Sequence, residues 1–353
     1  MNILTDYLTL PCAHGGPAGK ARIRAAPEDF LVREWLGFSA DGEGDHLLLR
    51  VRKRGANTMW VAKQLARLGK LHPKDVGFAG LKDRDAVAEQ SFTVPARSAL
   101  AEQWAGVAGD GFEVLNAERH RRKLKRGALR GNEFEIVLRA FEGDAALLEQ
   151  RLQAIRDSGV PNYFGPQRFG RAGHNLATAL AWFAGETSTP ERVERGFALS
   201  AARSAIFNAV VAERVRDRTW NRLRPGDLAN LNGSGSIFAV ETVDDVLNER
   251  CQRLDIHPTG PMVGGEPSIA AGEVATLERE IANRHAVLSD GLGRAGLESE
   301  RRALRIAVDD LQWDVSANDV RLRFRLTRGA FATAVLHEVI DGVFATDVPD
   351  SGE

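Results

Sequence analysis

The sequence GFAGLKDRDAV, residues 77–87, places the pair Lys82-Asp83, with Asp85 close behind, on a passage bounded by glycine. A carboxylate on such a turn is exposed enough to attack a substrate, and an adjacent cation keeps it ionised and therefore nucleophilic. The same residues also suit an Asp that caps the following segment, within a solvated charge cluster. Asp83 and Asp85 at i, i+2 admit a paired-carboxylate hydrolase, although an extended backbone would point them to opposite faces. A second group lies in RHRRKLKRGALR, residues 119–130, where seven of twelve positions are Lys or Arg. That density fits a loop tracking phosphates, with Arg121, Arg122, Lys123, Lys125, Arg126 and also Lys82 as candidate backbone contacts. It fits a solvated surface face as well. Phe30, Phe134 and Phe331 accompany these charges and offer flat apolar surfaces on which a flipped pyrimidine can stack, while Asn132 can hydrogen-bond a carboxylate or a base edge. Taken singly, a Phe in a strand is a core residue.

The elements that must position these groups follow from hydrophobic periodicity. Residues 22–36 predict a strand, a Pro-Glu-Asp turn and a second strand carrying Phe30, Val32 and Glu34 on one face. Residues 46–54 alternate as a strand with a basic face, and 58–68 have helical spacing capped by Asn57 or Thr58. SFTVP and NEFEIVLRAF read as further strands, and a helix closes this region at 144–157. From residue 158 the texture turns helical, with helices at 175–184, 200–216 and near 270–288 around a small β unit, GDLANLNGSGSIFAVE. The β pattern resumes at 307 with VRLRFRLTRG, followed by a last helix, FATAVLHEVIDGV, and an acidic tail. The expectation is a β-rich domain of residues 1–157 plus 307–353, interrupted by an insertion at 158–306. The run NYFGPQRFG, residues 162–170, holds too many turn formers and aromatics for a plain helix and reads as a packed connection.

Composition excludes several classes. The 353 residues are 43% hydrophobic and 27% charged, with a net charge of −1. No apolar run approaches the ~20 residues of a membrane span, and the N-terminus does not read as a signal peptide, so a cytoplasmic setting is expected. Cys12 and Cys251 lie far apart without CxxC spacing, and His46, His174 and His257 lack partners at metal-ligand spacing. No metal and no disulfide framework is expected. The charge is uneven, with 25 basic against 21 acidic residues over 1–157 and 4 against 9 over 307–353.

Eight ordered blocks carry a resemblance: PEDF at 27–30, GEGDH at 42–46, GANT at 55–58, GFAGLKDRDAV at 77–87, RHRRKLKRGALRGNEF at 119–134, PNYFGPQRFGRAGHNL at 161–176, SAARSAIFN at 200–208 and RGAFATAVLHE at 328–338. Together they resemble the TruD family of tRNA pseudouridine synthases over nearly the whole chain. The resemblance implies an α+β chain in which a pseudouridine-synthase-type catalytic domain, with a mixed and mainly antiparallel sheet, is interrupted by an inserted α/β TRUD domain. It further implies Asp83 as nucleophile, and Phe30, Asn132, Phe134, Phe331 and Arg24 around a target uridine, without a cofactor. The implied substrate is uridine 13 of a tRNA, often the glutamate tRNA, and a monomer is expected. Two positions depart from the family's pattern: Arg24 stands where relatives commonly have Lys, and Asp85 where they often have His or Arg. Arg168 and Arg171 of the insertion are expected as further RNA contacts. The rival readings are a non-catalytic tRNA-binding or folding-assistant protein and a carboxylate-dependent hydrolase.

Overall fold

The computed structural model describes residues 9–82, 86–98 and 100–344. Asp83, Arg84 and Asp85 therefore lie outside the described residues, as does most of the acidic tail. The chain divides into two compact units: one of residues 1–18, 146–308 and 330–340, the other of 19–145, 309–329 and 341–353.

The second unit is organised by an eleven-stranded sheet. Its first part supplies β1 (Gly19–Ile23), β2 (Phe30–Trp35), β3 (His46–Lys53), β4 (Gly77–Phe78), β5 (Val87–Pro95), β6 (Ala108–Gly109), β7 (Phe112–His120) and β8 (Gly131–Gly143). The late segments add β15 (Asp309–Val315), β16 (Val320–Thr327) and β17 (Ile340–Phe344). The order β15-β16-β8-β2-β5-β3-β7-β6 is antiparallel at every step except β2·β5, with β1 beside β8 and β17, and β4 beside β5. Period-2 alternation gives the sheet one apolar face, on which Leu47, Leu49, Val51, Phe92 and Val94 are buried. Helix α1 (Thr58–Leu68) covers that part of the face with Val61 and Leu65, and Asn57 Oδ1 caps it by accepting from the Trp60 amide at 2.8 Å. On the opposite face arginines and carboxylates pair instead: Glu89 takes Arg50 at 2.5 Å and Arg52 at 3.0 Å, and Glu135 takes Arg321 at 2.7 Å.

The first unit is built on helices α2 (Ala145–Ser158), α3 (His174–Phe183), α4 (Arg192–Arg216), α5 (Asp245–Gln252), α6 (Gly272–Arg284), α7 (Ala286–Arg294) and α8 (Ala332–Val339). A four-stranded sheet accompanies them, formed by β10 (Leu228–Leu231), β11 (Ile237–Ala239), β12 (Ile256–Met262) and β13 (Glu300–Ala303), with a short pair of β9 (Val160–Pro161) and β14 (Arg305–Ile306). Helix α4 runs eight residues further back than its apolar stripe suggested, because residues 192–197 are solvent-facing and carry no core pattern. The single helix expected near 270–288 is two, broken at His285, whose φ of −118° and ψ of 38° are not helical. The last helix stops at Val339, and IDGVF becomes β17, an element that periodicity alone did not separate from the helix.

Candidate active site

Three of the expected site residues share the apolar face of the central strands. Across the antiparallel β2·β8 pair, Glu34 stands opposite Asn132, Val32 opposite Phe134 and Phe30 opposite Ile136. Phe30 and Phe134 are thus diagonal neighbours and meet edge-on, with ring centroids 6.3 Å apart, while Phe134 stacks on Phe324 of β16 at 5.3 Å. Both Phe30 and Phe134 are buried. The Arg24 guanidinium lies 4.3 Å from the centre of the Phe30 ring. Its backbone holds φ at +59°, in the left-handed region that non-glycine residues seldom adopt, where β1 turns toward Pro27.

Lys82, which immediately precedes Asp83 in sequence, is bound to these strands. Its Nζ donates to Asn132 Oδ1 at 2.5 Å and pairs with Glu34 Oε1 at 3.4 Å. The other Glu34 oxygen accepts from the Ser91 amide at 2.9 Å, and the Glu34 side chain has no exposure to solvent. Burial pushes the Glu34 carboxyl above its ordinary value and the Lys82 ammonium below its own; the attraction between them opposes both shifts without cancelling either. Lys82, expected from sequence at the phosphate backbone, has a side chain only 8% exposed and commits its ammonium to Glu34 and Asn132.

The chain is pinned at Lys82 and two residues before it. The Lys82 amide donates to Thr58 Oγ1 at 2.9 Å, Thr58 Oγ1 donates to Gln90 Oε1 at 2.9 Å, and Gln90 Nε2 donates to Gly80 O at 2.7 Å. A buried polar chain of this kind fixes the backbone immediately before Asp83. Sequence reading missed Glu34, Thr58 and Gln90 as site residues. The signal for Glu34 was available, since an acid on the same strand face as Phe30 and Val32 has to be paired when that face is buried. Thr58 and Gln90 carry no such signal.

The basic segment is extended and irregular. Arg121, Arg122, Lys123, Lys125 and Arg126 are exposed, while Leu124 is buried between them and its amide donates to Thr93 Oγ1 at 2.9 Å. Arg121 pairs with Glu43 and Lys123 donates to the Lys74 carbonyl; the Arg126 guanidinium lies 4.1 Å from the Phe78 ring centre. The segment is tied to the stretch leading to Lys82 where the Gly127 amide donates to Ala79 O at 2.7 Å.

Phe331 belongs to the other compact unit. There it is partly buried, 5.9 Å from Phe164 between ring centroids, with the Arg168 guanidinium 5.5 Å from its own ring centre. The expected packed use of residues 162–170 agrees with the burial of Tyr163, Phe164 and Phe169. His257 is a core histidine whose Nδ1 accepts from Arg305 Nε at 3.0 Å, and burial pushes it down to about 3. Among the described residues no group of three or more His, Cys, Asp or Glu could hold a metal ion, and no helix is long and apolar enough to cross a membrane.

A family model described as tRNA pseudouridine synthase D (TruD) matches residues 12–181 and 175–339. A tRNA pseudouridine synthase D from Nitrosococcus oceani is 44% identical over 333 residues, which span 93% of each chain. One from Methylococcus capsulatus is 45% identical over 333 residues and 94% of each chain. A solved Methanosarcina mazei structure assigned to the same family superposes with a TM-score of 0.72 at 21% identity, over 94% of this chain and 95% of that one, which speaks to the fold. The α+β chain with its mixed, mainly antiparallel sheet and inserted α/β domain is accordingly of the pseudouridine-synthase type, and it belongs to the tRNA pseudouridine synthase D (TruD) family.

Proposed function

We propose that this protein isomerises uridine to pseudouridine at position 13 of a tRNA, the glutamate tRNA being the first to try, with Asp83 as nucleophile and without a cofactor. The observation that carries the reading is the Glu34–Lys82–Asn132 cluster immediately before Asp83 in a TruD-family chain. The reaction breaks the N1–C1′ bond, turns the base and forms C5–C1′. The C5 proton is released and N1 takes up a proton, so no redox partner and no water is consumed. Asp83 attacks the base or the sugar and is regenerated.

Each supporting residue has a task under this reading. Lys82 is a fixed cation next to Asp83 that keeps the carboxylate ionised, and Asn132 accepts its hydrogen bond. Glu34 touches no solvent and so acts as a positioning residue for Lys82. Phe30, with Arg24 over it, and Phe331 supply apolar surface that repays part of the few kcal/mol needed to unstack a base. Phe134, held between Phe30 and Phe324, backs the Phe30 ring. Arg121, Arg122, Lys123, Lys125 and Arg126 contact backbone phosphates, which confers affinity without sequence information, and recognition comes from tRNA shape. The catalytic portion comprises residues 1–157 plus 307–353 in sequence and 158–306 is the family's insertion; by contact, residues 1–18, 146–157, 307–308 and 330–340 group with that insertion.

The test is tritium release from tRNA transcripts labelled at uridine C5, with pseudouridine mapped afterwards. Release by the wild type and none by Asp83→Asn, mapping to position 13, is the expected result. Equal release by both proteins removes Asp83 from the chemistry, and no release from any folded tRNA leaves only RNA binding.

A further inference from the structure

We infer that Phe38 is a stacking platform for one unpaired base of the tRNA substrate, presented by a loop that spans the two ends of the basic segment. The inference rests on the proposed function and adds a nucleobase site to it within the second compact unit.

Phe38 lies in the connection between β2 and β3 and is 46% exposed. A single exposed Phe needs no explanation, but this one is held in place. Its ring lies flat on that of His120, with centroids 5.6 Å apart and planes 6° from parallel. His120 is buried at the end of β7, and its Nδ1 lies 2.8 Å from Asp41 Oδ2. The same Asp41 oxygen accepts from the Arg121 amide at 2.8 Å, and the Gly42 amide donates to Arg119 O at 3.0 Å. Backbone meets backbone here, since a Cβ on Gly44 would lie 2.5 Å from His120 O. At the far end of the basic segment the Arg130 amide donates to Trp35 O at 2.9 Å, and a Cβ on Gly37 would lie 2.9 Å from Arg130 Cδ. The loop is thereby fastened to both ends of the segment, with Phe38 between the fastenings. An aromatic fixed in advance loses little freedom when a ligand settles on it.

The chemistry beside the ring favours a base. Phe38 and Trp35 line a groove of about 450 Å³ on the polar face of the sheet. Its charges are met within it: Arg33 pairs with Glu133 at 2.9 Å and Arg50 with Glu89 at 2.5 Å. Such a groove gives a phosphate little, while it offers ring faces and hydrogen-bonding edges to a neutral heterocycle. The phosphates on either side of that base fall to the exposed cations that begin at Arg121. Flat aromatics beside a cationic track are how single-stranded nucleic acid is held, because every base has a face to stack. A segment with seven Lys or Arg in twelve positions favours the base of a polyanion over an apolar peptide as the occupant.

Phe38→Ala, Phe38→Leu and Phe38→Trp test the platform through tRNA affinity measured from low to moderate salt, with tritium release measured alongside. Phe38→Ala is expected to bind tRNA about fivefold or more weakly with the salt slope unchanged, since stacking releases no counterions. Phe38→Trp keeps the affinity, and Phe38→Leu, apolar without a flat ring, does not restore it. In tRNA carrying single abasic positions, one such position weakens the wild type by the factor that Phe38→Ala does and leaves Phe38→Ala unaffected. Affinity of Phe38→Ala within about twofold of the wild type overturns the platform, as does full affinity in Phe38→Leu. A reduced salt slope in Phe38→Ala overturns it too, because the loss would then be one of phosphate contacts. Should Phe38→Ala fail to fold, the comparison of Phe38→Leu with Phe38→Trp decides alone: equal affinity overturns the platform, and loss in Phe38→Leu only supports it. Absence of wild-type release on every tRNA instead removes the proposed function itself, a distinct failure.

Discussion

Glu34 is the residue on which the electrostatics of the candidate site turn, because its carboxylate faces the ammonium that precedes Asp83. Replacing Glu34 by Gln preserves the shape and the acceptance from Ser91 and deletes one charge. The sign of the consequence can be worked out. Lys82 already lies below its ordinary value because it is buried, and Glu34 is what holds it up. Without that charge Lys82 gives up its proton at lower pH. If Lys82 must be charged for activity, the alkaline limb of the kcat profile moves to lower pH in Glu34→Gln, and kcat at neutral pH falls while the KM for tRNA changes little. A merely structural role would lower stability and leave the profile where it was. Thr58→Val tests the polar chain more gently: the Lys82 amide and Gln90 each lose a partner, and loss of a buried hydrogen bond costs about 1–3 kcal/mol. A lower melting temperature, with activity reduced in proportion to the misplacement of Asp83, is expected.

At the scale of elements, the start of β8 is the tightest point. A Cβ on Gly131 would lie 2.2 Å from Leu326 O of β16, so Gly131→Ala must push the two strands apart and carry the neighbouring Asn132 with them. Thermal unfolding should show a loss of at least about 1–3 kcal/mol, and tritium release should fall with it; a stable, fully active variant would contradict the close approach. In the other unit, His257 links stability to pH. Its folded value of about 3 lies below the ordinary 6.5, so it stays neutral in the fold while the unfolded chain takes up a proton. Its contribution is complete above about pH 6.5 and is lost progressively as pH falls toward 3, at no more than about 1.4 kcal/mol per pH unit. His257→Asn should lower stability at pH 7 and flatten that acid slope between pH 6.5 and 5, as read from urea midpoints.

For the whole molecule, a net charge of −1 says little about a polyanionic partner, whereas the placement of charge says more. Arg122 and Lys125 are exposed within the basic segment, so their removal should leave the fold intact. Arg122→Ala and Lys125→Ala are each expected to weaken binding of all tRNAs alike and to reduce the salt slope by about one. An effect confined to one tRNA would mean that these side chains read sequence.

Period-2 alternation sufficed for β2, β3, β8 and β16, and the Asn57 cap with helical spacing sufficed for α1, because these signals are local and the buried face enforces them. Family membership was legible too, since ordered blocks survive in the linear sequence. The same alternation placed Glu34 on the face of Phe30, but its pairing with Lys82 depends on the antiparallel register that sets Glu34 opposite Asn132. No local pattern encodes that register. The break at His285 and the change from α8 to β17 were likewise decided by packing, because VLHEVIDGV satisfies helix and strand periodicity almost equally. The meeting of Arg168 and Arg302 around Phe164 joins residues more than a hundred positions apart, and only the tertiary structure could bring two cations to one ring.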